Sequence, residues 1–173
     1  MLSSRVVYRN QYLSLREDEI QRADNSIGIY SVVDKPDFAL VVPLQDNGFH
    51  LVEQYRYPIG SRCWEFPQGG FPHGVTGTPE ELAARELAEE TGLRAGTLTS
   101  LGMLHIAKGF TGQAVHNFLA TDLTQGQAHL EVEEQDLRHA WFPRAEVAEM
   151  IADGVITDAA TVAAYLLLTM RER

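Results

Sequence analysis

The chain has 173 residues, 45% of them hydrophobic and 22% charged, a composition that suits one globular domain burying roughly 70% of its unfolded surface and excludes intrinsic disorder. No apolar run approaches the ~20 residues of a membrane span, the longest being Ala159 to Leu168, and the start, Met1-Leu2-Ser3-Ser4-Arg5, lacks the build of a secretory signal, so a cytoplasmic protein without a membrane partner is expected. The formal charge of −10, from 14 basic and 24 acidic residues, argues against a nucleic-acid partner, because phosphate contacts need Lys and Arg.

Strand signals fill the first third. Tyr12 to Ile20, Ile27 to Val33, Phe38 to Leu44 and His50 to Tyr55 are rich in β-branched and aromatic residues, divided by turn chemistry at Ala23-Asp24-Asn25-Ser26 and Asp46-Asn47-Gly48. Phe38-Ala39-Leu40-Val41-Val42 is continuously apolar, as a strand covered on both faces requires. A Gly- and Pro-rich stretch, Pro67 to Pro79, leads into a helix from Thr78 to Gly92. Strands at Ser100 to Ile106 and Ala114 to Ala120, an acidic segment, a strand near Leu137 to Phe142 and two C-terminal helices complete the chain. With no repeat, low-complexity tract or linker, the pattern predicts a single α/β domain over residues 1–173. The first 35 or so residues are free to pair with a second subunit.

The acidic excess is concentrated. Glu80 to Glu90 holds five glutamates against one arginine, and Glu131 to Asp136 holds four acids and no base, so two short windows carry −8 of the −10. Concentrated carboxylates in an otherwise nearly neutral chain suggest divalent-cation sites. The single Cys63 excludes a disulfide framework and a multi-thiolate zinc site, and the six His residues show no zinc spacing.

Both ends of the first helix are marked. Thr78 can cap with Glu81 three residues on, Pro79 suits the first helical position, and Gly92 suits the left-handed residue after the last turn. At 100° per residue, Ala83, Ala84, Leu87 and Ala88 occupy an apolar arc of about 100° to 240° from Leu82, while Arg85, Glu86, Glu89 and Glu90 gather between about −60° and +80°. Like charges three and four residues apart repel by ~0.2 to 0.5 kcal/mol per pair. A hard cation such as Mg²⁺ would offset that repulsion; a solvated acidic face with Arg85 as partner is the alternative that the helix alone leaves open.

Arg85-Glu86-Leu87-Ala88-Glu89-Glu90-Thr91-Gly92-Leu93 resembles the second half of the Nudix box, and Trp64-Glu65-Phe66-Pro67-Gln68-Gly69-Gly70 resembles the strand and glycine loop that open it. Together with Gln54-Tyr55-Arg56-Tyr57-Pro58 and Gly154-Val155-Ile156-Thr157-Asp158-Ala159-Ala160, these segments are similar to Nudix hydrolases of the ADP-sugar pyrophosphatase type. The resemblance implies a Nudix-type α/β/α sandwich, α/β (α+β) in class, with a mixed central sheet and an N-terminal antiparallel strand region used to build a homodimer. It implies Mg²⁺-dependent hydrolysis, with Mn²⁺ able to substitute, of a nucleoside diphosphate sugar, ADP-ribose favoured. By the same resemblance Glu86 and Glu90 are the principal metal ligands, Glu89 a further ligand or helper, and the main-chain carbonyl of Gln68 completes the sphere. Gly69 and Gly70 allow close approach of backbone to phosphate, Arg85 orients the carboxylates, and Arg56 meets the substrate's phosphate or terminal sugar. Glu133, with Glu134 close behind, is expected to act on the attacking water from the second acidic window. Structural alternatives remain for each: an ordinary turn at the glycines, an i,i+4 ion pair at Arg85, a surface ion pair at Arg56 and a solvated turn at 131–136.

Two departures stand out. The box normally carries a glutamate eight residues before its Arg, where this chain has Gly77, and the glycine loop from Gly69 to Gly77 is about two residues longer. Altered loop structure with retained chemistry is the expectation, and a catalytically silent nucleotide-binding or ligand-sensing module is the competing class. ADP-ribose hydrolases of the family also typically carry a proline some fifteen residues beyond the box, where this chain has Lys108.

Overall fold

The computed structural model describes residues 1–71, 75–128, 130 and 135–172. The apolar segment opening at Phe38 forms β4 (Phe38–Gln45), and because alternate strand residues leave on opposite faces, it divides the core in two. Leu40 and Val42 pack with Phe49, Leu51, Phe66, Val147, Ala164 and Leu168. Ala39 and Val41 pack on the other side with Leu82, Ala83 and Leu87. The second group belongs to α1 (Pro79–Thr91); Val147 comes from α2 (Arg144–Ala152), and Ala164 and Leu168 from α3 (Ala159–Arg171). The expected α/β/α sandwich follows.

The N-terminal strands β1 (Ser3–Arg9), β2 (Ser14–Gln21) and β3 (Ile27–Asp34) form a separate antiparallel sheet. β1 lies outside the predicted strands. β2 starts two residues later than predicted because Asn10 Oδ1 accepts the main-chain N–H groups of Tyr12 and Leu13, making a side-chain-closed turn at that point. In the main sheet, β5 (Gly48–Arg56) returns from β4 through Asp46 and Asn47, whose φ values of 49° and 58° match the type I′ hairpin turn.

β4 and β5 pair only at Leu44–Phe49 and Gln45–Gly48 and then part. Into the opening come β6 (Ser61–Glu65), paired with β5, and β7 (Gln68–Gly70), paired with β4. A short ribbon pairs β8 (Leu93–Arg94) with β11 (Thr124–Gln125). The sheet order is β12-β5-β4-β10-β9, with β9 (Thr97–His105), β10 (Ala114–Thr121) parallel to β4, and β12 (Arg138–Pro143) on the edge beside β5. Among the described residues no helix is long and apolar enough to cross a membrane.

The third layer is pinned to the glycine loop by one fully buried hydroxyl. Phe66 N–H donates to Thr161 Oγ1 at 2.9 Å, and Asp158, the N-cap of α3, accepts the Thr161 N–H at 2.8 Å. Thr161→Val would keep the shape but leave the buried Phe66 N–H without its acceptor, which costs about 1–3 kcal/mol. Urea denaturation should show that loss in unfolding free energy; a change below about 0.5 kcal/mol would contradict it.

Candidate active site

The capping box predicted for α1 is present. Thr78 Oγ1 accepts the Glu81 N–H at 3.1 Å, Glu81 Oε2 accepts the Thr78 N–H at 2.8 Å, and Gly92 ends the helix with φ of 74°. The rotation of the helix differs from the apolar arc read off its sequence. Ala84 is exposed, whereas Leu82, Ala83, Glu86, Leu87, Glu90 and Thr91 are buried. Glu86 and Glu90 thus point into the fold, 4% and 2% exposed, and Glu89 stays on the rim. Carboxylates are almost never buried unless paired or ligating.

Their destination is β7. Gln68 N–H donates to Glu90 Oε2 at 3.2 Å. Gly69 sits so close to Glu86 that a Cβ there would lie 2.4 Å from Oε2. Arg85 crosses from the rim, donating to Glu86 Oε1 at 3.3 Å and standing 3.1 Å from Glu89 Oε2. Its guanidinium lies 5.7 Å from the centre of the Phe71 ring. Arg85 thus contacts Glu86 as well as its i,i+4 neighbour Glu89.

A second polar cluster adjoins Gln68. Glu65, 2% exposed at the end of β6, accepts from Gln54 Nε2 at 3.0 Å, from Gln68 Nε2 at 3.1 Å and from Arg56 through Nε and Nη2. Gln68 Nε2 also reaches Asp158 Oδ2 at 3.2 Å. Burial pushes the Glu65 carboxyl above its ordinary range, while the charge and hydrogen bonds of Arg56 act the other way. Arg56 makes an ion pair, one of its two expected roles, but with a buried partner, and the sequence alone assigns no role to Glu65, Gln54 or Asp158. Polar residues at the alternating positions Gln54 and Arg56, and an Asp just ahead of a helix, were the available signals.

A Nudix domain model matches residues 35–165. The chain belongs to the Nudix family. A model of the nucleoside diphosphate sugar hydrolase N-terminal domain matches residues 1–33, the β1–β3 sheet. The chain is 36% identical over 168 residues to an ADP-ribose pyrophosphatase of Mycobacterium tuberculosis, covering 95% of this chain and 80% of that protein. It is 27% identical over 168 residues to an ADP-ribose pyrophosphatase of Bacillus subtilis, covering 96% and 90%. The fold is also that of a crystal structure of an ADP compounds hydrolase, with a TM-score of 0.86 at 23% identity over 98% of this chain and 91% of the other.

Gly77, the first of the departures from the Nudix box, acquires a local explanation. A Cβ at Gly77 would come 2.6 Å from the Phe71 ring, and Glu81 is committed to the cap, so Phe71 lies where a side chain at position 77 would begin. Glu133 and Glu134 lie outside the described residues. Just beyond them Asp136 is held by Arg62, which donates to its carboxylate at 2.6 Å and to its carbonyl at 2.8 Å.

Nudix hydrolases generally use divalent cations. Among the described residues no three His, Cys, Asp or Glu side chains form a ready-made metal cluster. Two buried carboxylates, one of them pressed against the backbone at Gly69, nevertheless offer the hard oxygen donors such cations take, and the residues fit the group. The tightness at Gly69 is testable without any ligand. Gly69→Ala should displace the Glu86 carboxylate from its contact with Arg85 and lower stability by no more than about 1 kcal/mol, because the end of the glutamate can move, whereas Gly70→Ala, whose Cβ would meet only the Asp37 carbonyl at 3.6 Å, should melt like the wild type. A crystal structure of Gly69→Ala with the Glu86 carboxylate in its wild-type position would refute the close approach.

Proposed function

We propose that the protein is a cytoplasmic, Mg²⁺-dependent pyrophosphatase that hydrolyses the diphosphate linkage of a nucleoside diphosphate sugar, ADP-ribose favoured, to a nucleoside monophosphate and a sugar phosphate. The observation that carries this reading is the burial of Glu86 and Glu90 against the backbone at 68–70. The similarity to ADP-ribose pyrophosphatases over nearly the whole chain supports the substrate class.

Glu86 and Glu90 would hold the cation together with the Gln68 main-chain carbonyl, and Glu89 would assist from the rim. A bound divalent cation neutralises phosphate charge and lowers the pKa of a coordinated water; Mn²⁺ serves in place of Mg²⁺. Arg85 fixes the orientation of the carboxylates. Gly69 and Gly70 allow the backbone to approach phosphate, and Arg56 binds the diphosphate or terminal sugar. Glu133 takes the proton of the attacking water, with Glu134 as the neighbouring candidate in sequence register.

Glu90→Gln is expected to reduce turnover of ADP-ribose by at least ~10²-fold with the fold intact, and EDTA to abolish it. Glu133→Gln should lower kcat by ~10²- to 10⁴-fold with little change in KM. Steady-state kinetics decides: full activity in chelator, or normal turnover in Glu86→Gln and Glu90→Gln, would sink the mechanism, and a large loss only in Glu134→Gln would move the base by one residue.

We further propose a homodimer built through the N-terminal sheet. No side chain of β1 is buried, and Leu2, Val6, Tyr8, Tyr12, Ile27 and Ile29 are all more than half exposed. Three strands with Asp18 as their one buried residue supply little core of their own, and this much exposed apolar surface supports an interface here. Light scattering at micromolar concentration should give twice the 19.3 kDa chain mass. A monomer would contradict the assembly.

A further inference from the structure

We infer that Glu65 is a positioning residue that aims the Arg56 guanidinium at the substrate, an inference that rests on the pyrophosphatase reading above. Each Glu65 oxygen is engaged from two directions: Oε1 by Gln54 and by Arg56 Nη2, Oε2 by Arg56 Nε at 3.3 Å and by Gln68 at 3.1 Å. A fork of this kind fixes the plane of a guanidinium as well as its distance. The pair is one-sided. The Glu65 side chain is 3% exposed and that of Arg56 38%, so the carboxylate end is closed and the cation reaches the surface beside the glycine loop.

An exposed ion pair contributes little and leaves its arginine free to swing. Here the anion is held in place before substrate arrives. Gln54 anchors it from β5, and Gln68 ties it through Asp158 to the cap of α3. Gln68 belongs to the loop proposed to meet the cation and phosphates, so the carboxylate that sets the direction of Arg56 also touches that loop. Orientation of a substrate-binding cation by a preorganised partner is a large part of what positioning contributes to catalysis.

The experiment compares wild type, Arg56→Ala, Arg56→Lys, Glu65→Gln and the double variant Arg56→Ala/Glu65→Gln, with ADP-ribose and Mg²⁺, reading KM, kcat and melting temperature. Arg56→Ala should raise KM about ten- to hundredfold. Glu65→Gln should raise KM about tenfold with kcat within about threefold, and the double variant should match Arg56→Ala, because Glu65 acts through Arg56. Arg56→Lys, which keeps charge but not the fork, should fall close to Arg56→Ala. Millimolar guanidinium should restore KM in Arg56→Ala, where Glu65 still forms its cradle, and not in the double variant. A wild-type KM in Glu65→Gln or Arg56→Lys, KM effects that multiply in the double variant, or equal rescue of both alanine variants would overturn the inference. Should Glu65→Gln fail to fold, Arg56→Lys and the rescue of Arg56→Ala decide it. Absent wild-type turnover of ADP-ribose would count against the substrate instead, and the same variants on the nucleoside diphosphate derivative that is cleaved would then test Glu65.

Discussion

Two carboxylates turned inward from α1 onto the backbone of β7 are the contact around which this structure is organised. Burying Glu86 and Glu90 is costly, and each neighbouring feature makes it tolerable. Gly69 removes the Cβ that would collide with Glu86, the Gln68 N–H meets Glu90, and Arg85 spans Glu86 and Glu89. The rotation of α1 is set by where its capping box starts the helix and by Leu82, Ala83 and Leu87 packing under β4. β7 exists because β4 and β5 separate after two paired positions and leave β4 an open edge. The local chain geometry of the sheet thus delivers the glycine strand to the helix face.

The N-terminal sheet is joined to the Nudix domain by main-chain and side-chain contacts. Tyr30 of β3 donates to the Gly109 carbonyl at 2.6 Å, and Val33 N–H donates to the Phe110 carbonyl at 2.8 Å, so the turn carrying Lys108, between β9 and β10, is fastened to the N-terminal sheet. In the proposed dimer, a sheet that contributes little core would gain stability from its partner and hold that turn in place.

Much of this was legible in the sequence because its determinants are local. The Thr78–Glu81 cap, the Gly92 stop, the Asp46-Asn47 hairpin and the two-faced strand Phe38 to Val42 each need only a few consecutive residues. What escaped was set by distant contacts. The apolar arc of α1 placed Ala84 inside, but packing on the sheet rotated it out and turned Glu86 and Glu90 in. Glu65 looked like part of a motif without a task, because its partners Gln54, Arg56 and Gln68 converge only when β5, β6 and β7 pair. β1 was missed because every one of its side chains is exposed, so it has no buried face to print a period on the sequence.

The central claim, that the inward carboxylates of α1 hold a divalent cation, is tested most directly by crystals soaked in Mn²⁺ and measured at a wavelength where Mn²⁺ scatters anomalously. An anomalous peak is expected within coordination distance of carboxylate oxygens of both Glu86 and Glu90, about 2.0 to 2.3 Å, beside the backbone at 68–70. Peaks found only elsewhere, with Arg85 still bonded to Glu86, would contradict it.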